Sequence, residues 1–87
     1  MDKDNILFKH KNILRAIKEI LSKQLGVEHS DIQEEDLFIE DLHMRPTDLA
    51  DFTESLSDRG FETKDLDFEE ISSVEELVDY FSSNEEV

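Results

Sequence analysis

Apolar residues recur at intervals of three and four positions along the first 21 residues, which restricts this part of the chain to an amphipathic helix. Asp4 or Asn5 is a suitable N-cap, and the helix is expected to end near Gln24, just ahead of Gly26. With two Gly and one Pro among 87 residues, the whole chain favours helices over turn-rich sheets. The stripe, on which His10 also falls, consists of Ile6, Leu7, Ile13, Leu14, Ile17, Ile20 and Leu21.

A second helix is predicted from about Pro46 or Thr47 to Arg59. Proline suits the first helical position, Thr47 would be the N-cap of a helix starting one residue later, and Gly60 is a suitable stop. Its apolar face comprises Leu49, Phe52 and Leu56, and the opposite, acidic face comprises Asp51, Glu54 and Asp58, with Asp48 at the edge.

Two further helices are predicted towards the C-terminus. Residues 65–71 are long enough for one short helix, capped by Asp65 or Asp67. Ser72 and Ser73 each precede a glutamate by three residues, which is the capping-box pattern at the start of a last helix. Its buried stripe would be Val74, Leu77, Val78 and Phe81, and residues 82–86, which have no apolar period, are expected to fray.

Residues 27–45 show no helical period. Isolated apolar residues within this stretch suggest a long loop fastened to a core, which is unusual in a compact domain. These anchors are Val27, Ile32, Leu37, Phe38 and Leu42. The predicted order is therefore helix, long loop, helix, short helix, helix, without strands, in a single domain spanning residues 1–87 with its core at about 5–82.

Three segments in this order resemble the acyl carrier protein family, and the likeness extends over residues 6–81. The first resembles the end of the family's first helix and its Leu-Gly-Val, the second the stretch before the attachment site, and the third the start of the last helix. In this chain they read Ile17-Lys18-Glu19-Ile20-Leu21 with Leu25-Gly26-Val27, Asp36-Leu37-Phe38-Ile39-Glu40-Asp41-Leu42, and Ile71-Ser72-Ser73-Val74 through Asp79-Tyr80-Phe81. The resemblance implies an all-α, acyl-carrier-protein-like four-helix bundle with a long first loop and a short third helix.

The chain departs from that family at the attachment site. The family's signature is Asp-Leu-Gly-x-Asp-Ser-Leu, whose Ser carries the phosphopantetheine arm, whereas this window reads Asp41-Leu42-His43-Met44-Arg45-Pro46-Thr47. Counting from either flank puts Pro46 at the serine position, and proline has no hydroxyl for a phosphodiester. The resemblance thus implies that phosphopantetheine is not carried. Attachment at Thr47, whose hydroxyl is rotated by about 100° on a helix, is the alternative.

Charge indicates the class of partner. The net charge is −15, with +3 over residues 1–25 and −18 over residues 26–87. This distribution repels nucleic acid and anionic membranes and attracts basic surfaces. In the family, the second and third helices dock onto basic patches of partner enzymes. The resemblance therefore implies a partner with a basic patch, an acyl-pathway enzyme being one candidate, bound through Asp48, Asp51, Glu54, Asp58, Glu69 and Glu70.

No catalytic or metal site is predicted. Cysteine is absent, and the three histidines (His10, His29 and His43) have no ligand spacing relative to one another. The acidic stretches 31–36 and 65–70 lack the pattern of an EF-hand. We therefore expect a non-enzymatic adaptor or regulator, monomeric and cytoplasmic, without a secretory leader or membrane span.

Two questions stay open in the sequence. An acidic mimic of nucleic acid that inhibits a DNA-binding protein is a second alternative function. The family also holds acyl chains in an inner cleft, and by resemblance this cleft would be bounded here by Phe52, Leu56, Phe61 and Phe68.

Overall fold

The computed structural model describes residues 3–84, and side chains from residue 9 to residue 83. It contains three α-helices: α1 (Lys3–Leu25), α2 (Pro46–Asp58) and α3 (Val74–Asn84). A short 3-10 helix, His29–Asp31, follows α1. Residues 3–84 include no β-strand, only an isolated antiparallel bridge between Leu37 and Ser73. The predicted all-α class is confirmed.

The structure corrects the predicted start of helix α1 and confirms its predicted end. It already includes Asp4 and Asn5, so the prediction that either residue caps its start is wrong. At the other end Gly26 takes a φ of 72°, and the backbone N–H groups of Gly26 and Val27 donate to the Ser22 carbonyl at 3.0 and 3.2 Å. A left-handed glycine that ends the helix in this way confirms the predicted stop.

Helix α2 has the predicted proline at its first position, but its N-cap is Arg45 rather than Thr47. The Asp48 carboxylate accepts the Arg45 backbone N–H at 2.9 Å, which satisfies a donor at the helix start. The helix ends at Asp58, Gly60 follows with a φ of 96°, and the Phe61 N–H donates to the Leu56 carbonyl at 3.0 Å. These bonds set the direction in which the chain enters and leaves α2.

The predicted short helix at residues 65–71 is not observed. This stretch forms turns, in which Leu66 donates to the Thr63 carbonyl at 3.2 Å and Glu70 to the Asp67 carbonyl at 3.1 Å. The Asp67 side chain also accepts the Glu69 N–H at 2.9 Å. This side-chain bond caps a single turn, in which the Ile71 N–H also donates to the Asp67 carbonyl at 3.0 Å. The turn does not extend into a helix because the next residue, Ser72, pairs with Phe38 of the segment before α2.

Helix α3 is longer than predicted, because residues 82–84 continue it instead of fraying. Residues 85 and 86, which carry the rest of that prediction, lie outside the described residues. Ser73 caps the helix, since its hydroxyl accepts the Glu76 N–H at 3.1 Å. The Glu76 carboxylate accepts the Ser72 N–H at 2.8 Å, so the predicted capping box is shared between the two serines.

The long segment between α1 and α2 is fastened to the start of α3. Phe38 donates its N–H to the Ser72 carbonyl at 3.0 Å, and Val74 and Glu75 donate to carbonyls of this segment at 3.1 and 2.8 Å. Ile32, Phe38 and Met44 are almost completely buried, at 1%, 2% and 2% exposure. The remaining buried apolar residues come from the helices: Ile13, Ile17, Ile20, Leu21, Phe52, Leu56, Val74, Leu77, Val78 and Phe81.

Candidate functional site

The residues that precede α2 form a compact loop closed by its own hydrogen bonds. The Asp41 carboxylate accepts the Leu37 N–H at 2.8 Å, and the Asp41 and Leu42 N–H groups both donate to the Leu37 carbonyl at 3.0 Å. The Met44 N–H donates to the Phe38 carbonyl at 2.9 Å, which brings the buried Met44 side chain into the core. The loop therefore delivers the chain to the start of α2 in one defined direction.

His43 has a φ of 57°, the only positive value among the non-glycine residues that the structure describes. Left-handed backbone costs an L-residue free energy, and glycine avoids this cost. His43 stands where the resemblance expects glycine, after Asp41-Leu42. The backbone thus adopts a conformation that favours glycine at the position where the resemblance expects one, which agrees with aligning Pro46 with the serine position.

Pro46 is the first residue of α2, and both Pro46 and Thr47 are exposed. Proline fits this position because the N–H that it lacks would have no partner within the helix. Arg45 precedes it, with its Nε 3.9 Å from an Asp48 carboxylate oxygen. The position predicted for attachment is therefore open to solvent, and it carries a ring instead of a hydroxyl.

An apolar cleft lies beside Pro46, between α2 and the turns at residues 67–69. Two pockets of about 390 and 420 Å³ share Ile39, Leu49, Phe68 and Glu69 in their walls, so they adjoin. Ile39 is 58% exposed and is the one large apolar side chain among the described residues that stands so far out. Acidic residues line the cleft around this apolar floor: Glu40, Asp67 and Glu69.

Aromatic rings fill the space behind this cleft. The ring of Phe38 lies 5.7 Å from that of Phe52 and 5.3 Å from that of Phe68, and the last two are 5.9 Å apart. Phe61 stacks on Phe81 of α3 at 4.6 Å instead. Of the four residues predicted to bound a cleft, only Phe68 lines the two pockets, because Phe52 and Leu56 are fully buried and Phe61 packs elsewhere.

The structure divides the acidic residues predicted to bind a partner between two flanks of α2. Asp51, Glu54 and Asp58 are exposed, and Asp51 and Asp58 line a pocket of about 410 Å³ on the flank that faces α1. Glu69 lies on the opposite flank, at the apolar cleft, followed by the exposed Glu70. Asp48 is half-buried and is engaged in capping α2.

The flank of α2 that faces α1 is partly neutralised by basic residues. Lys23 and Arg59 line the same pocket as Asp51 and Asp58, and Arg59 Nη2 lies 3.2 Å from a carboxylate oxygen of Glu19. The cleft flank has no basic residue in its walls. Sequence reasoning missed Ile39, Glu40 and Asp67 as members of this surface, although an apolar Ile39 within an acidic stretch was a visible signal.

Candidate metal ligands among the described side chains do not come together. Among the side chains of residues 9–83, no group of three or more His, Asp or Glu is arranged to hold a metal ion. His29 and His43 are exposed and His10 is half-buried. None of the helices described is both long enough and apolar enough to cross a membrane.

Comparison with protein families gives one match, which covers most of the described structure. The family model described as phosphopantetheine attachment site matches residues 15–81. The matched span runs from the middle of α1 to the last buried residue of α3, Phe81, and includes the loop with His43 and Pro46.

Proposed function

The chain belongs to the phosphopantetheine attachment site family of acyl carrier protein-like domains, and from this premise we propose that it is a non-enzymatic docking module without an arm. It would act as an adaptor or regulator that occupies the carrier-binding surface of a partner. The proposed partner is a protein with a basic patch, and an enzyme that acts on carrier-bound acyl groups is the candidate class.

The observation that carries the proposal is Pro46 at the first position of α2. Attachment of the arm needs a side-chain oxygen that attacks the pyrophosphate of coenzyme A, and proline offers none. The left-handed His43, three residues earlier, supports the alignment of Pro46 with the serine of the motif. A carrier fold that lacks the attachment oxygen would keep its docking surface but could not carry an acyl group on an arm.

The surface that supports docking combines charge with an apolar anchor point. The carboxylates of Asp51, Glu54 and Asp58 are exposed on one flank of α2, and the apolar cleft with Ile39 lies on the other. Exposed charges contribute only about 0–1 kcal/mol for each pair, but they steer association and orient the partner. Burial of apolar surface at the cleft would supply the larger part of the affinity.

Intact mass measurement tests the missing arm. The purified protein is incubated with coenzyme A and a phosphopantetheinyl transferase, with a serine-containing carrier domain as positive control. We expect the mass of this chain to stay unchanged while the control gains one arm. A gain of one arm by the wild-type chain that Thr47→Ala abolishes would contradict the proposal and establish the alternative attachment site.

Neutralisation of the acidic flank tests docking. Partners captured from a lysate are purified, and the Kd of a captured basic protein is measured for Asp51→Asn/Glu54→Gln/Asp58→Asn. The matched control is Glu35→Gln/Glu62→Gln/Asp79→Asn, which removes three exposed carboxylates that line none of the pockets beside α2.

Both variants remove three negative charges, so only the position of the charges differs. We expect the first variant to bind about tenfold or more weakly, since up to three ion pairs are lost, and the control to bind as the wild type does. Circular dichroism checks that helicity is retained in both. Equal affinities of the two variants would rule out α2 as the docking surface.

A further inference from the structure

The flank of α1 that faces away from α2 carries three basic residues that line one pocket. Lys11, Arg15 and Lys18 are spaced by four and three positions, so they project from one side of the helix, and the half-buried Leu14 lies among them. With His29 and Ser30 of the 3-10 helix, these residues line a pocket of about 380 Å³ without any carboxylate. We call Lys11, Leu14, Arg15 and Lys18 the basic flank.

Within residues 9–83, none of the three basic side chains has an acidic partner within 4.0 Å. Among residues 9–83 the ion pairs within 4.0 Å are Arg45 with Asp48 and Arg59 with Glu19. The nearby Asp31 carboxylate instead accepts the backbone N–H of Glu28 at 3.2 Å. In a chain with 24 acidic residues, three basic side chains around an apolar floor thus stay available to an external anion.

We propose that the basic flank is a second docking surface, which binds an acidic protein segment with an apolar residue. The carboxylates of the segment would pair with Lys11, Arg15 and Lys18, and its apolar side chain would lie against Leu14. Because an exposed ion pair contributes little by itself, the apolar contact is needed to give affinity and register.

The charge of the rest of the molecule favours a short acidic segment over nucleic acid. At physiological ionic strength charges are screened beyond about 8 Å, so a short segment interacts mainly with the basic flank itself. A nucleic acid is a longer and denser polyanion, and it would extend over the neighbouring exposed carboxylates of Glu28, Asp31 and Glu34. Repulsion there would offset the attraction at the basic flank.

The two docking surfaces lie on different sides of the molecule. Glu19, Ile20 and Lys23 of α1 line the pocket towards α2, whereas the basic flank lies on the other side of the same helix, against the 3-10 helix. A basic partner at α2 and an acidic partner at α1 would therefore not compete for the same residues. The chain would then bridge two proteins of opposite surface charge.

Fluorescence anisotropy tests this proposal with a labelled peptide of Glu and Asp residues around one Phe. The variant Lys11→Gln/Arg15→Gln is compared with Lys23→Gln/Lys64→Gln, which removes two other exposed charges and changes the net charge equally. We expect the first variant to bind about tenfold more weakly than the wild type, since two ion pairs are lost, and the second to be unaffected. Replacing Phe of the peptide by Ala should weaken binding to the wild type.

Several outcomes would overturn the proposal. These are the absence of peptide binding by the wild type at low salt, equal effects of the two variants, or binding of a single-stranded oligonucleotide as tightly as the peptide. Sedimentation equilibrium tests whether a second copy of the chain binds to the basic flank instead. Self-association that Lys11→Gln/Arg15→Gln abolishes would assign the basic flank to a homodimer and contradict the acidic-segment proposal.

Discussion

At the scale of single residues, the loop before α2 combines a costly backbone conformation with two bonds that hold it. His43 adopts a φ of 57°, between the buried Met44 and the half-buried Leu42. The Asp41 carboxylate and the Leu37 carbonyl close the loop on the other side. Because Met44 and Phe38 are anchored in the core, the backbone at His43 has no freedom to relax to a negative φ.

Replacing His43 with glycine should therefore stabilise the protein. The left-handed conformation costs an L-residue about 1–2 kcal/mol, and the extra chain entropy of unfolded glycine takes back about 0.5–1 kcal/mol. We expect His43→Gly to raise the free energy of unfolding by about 0.5–1 kcal/mol, measured by urea denaturation. His29→Gly, at an exposed residue without positive φ, should lower it. A His43→Gly protein less stable than the wild type would refute the explanation.

At the scale of elements, the segment at residues 26–45 is fixed by core packing and hydrogen bonds, although it contains no α-helix. Its ring of Phe38 contacts Phe52 of α2 and Phe68 of the following turns, and its backbone pairs with Ser72 and Val74 at the start of α3. Carbonyl groups of the segment also accept the N–H groups of Val74 and Glu75, which have no acceptor within α3 because they lie at its start. The segment therefore links α2 to α3 and forms one wall of the apolar cleft.

Two neighbouring residues of this segment differ in burial, because one side chain packs in the core and the other is exposed. Phe38 is 2% exposed and Ile39 is 58% exposed. We expect Phe38→Ala to lower the free energy of unfolding by about 3–5 kcal/mol, because it removes a ring from the core and leaves a cavity. Ile39→Ala should change it by less than about 0.5 kcal/mol. Thermal or chemical unfolding with equal effects of the two substitutions would show that the segment is not packed as described.

At the scale of the whole molecule, repulsion among the negative charges disfavours the compact folded state. The chain has a net charge of −15, and the described structure has principal extents of only 38 × 28 × 22 Å. Some carboxylates serve the fold by accepting backbone N–H groups, as those of Asp36, Asp41 and Asp48 do. The exposed glutamates that make no such bond add repulsion among themselves.

Added salt should therefore stabilise the protein. Raising NaCl from about 10 mM to about 100 mM shortens the screening length from about 30 Å to about 10 Å, which is less than the width of the molecule. We expect Tm, followed by circular dichroism, to rise over this range. Glu69→Gln/Glu70→Gln should raise Tm at low salt and reduce the gain from added salt. A Tm that falls with salt would show that attractive charge pairs predominate.

The local pattern of the sequence determined the three α-helices, the glycine stops of α1 and α2 and the proline at the start of α2, because periodicity, capping and turn preferences depend on neighbours along the chain. The prediction that Pro46 stands at the serine position comes from the family resemblance, by counting from both flanks of the motif. The predicted fourth helix is reduced to one turn capped by Asp67, since Ser72 pairs with Phe38 of a distant segment instead of continuing a helix.

Tertiary structure alone decided which surfaces lie together. The burial of Met44, the exposure of Ile39 and the meeting of Leu49 with Phe68 depend on how α2 packs against segments that are distant in sequence. The same packing divided the acidic residues between two flanks of α2 and left the basic flank of α1 on another side of the molecule. Contacts between distant segments depend on how side chains fill the core in three dimensions. The pattern of residues along the chain does not specify this arrangement.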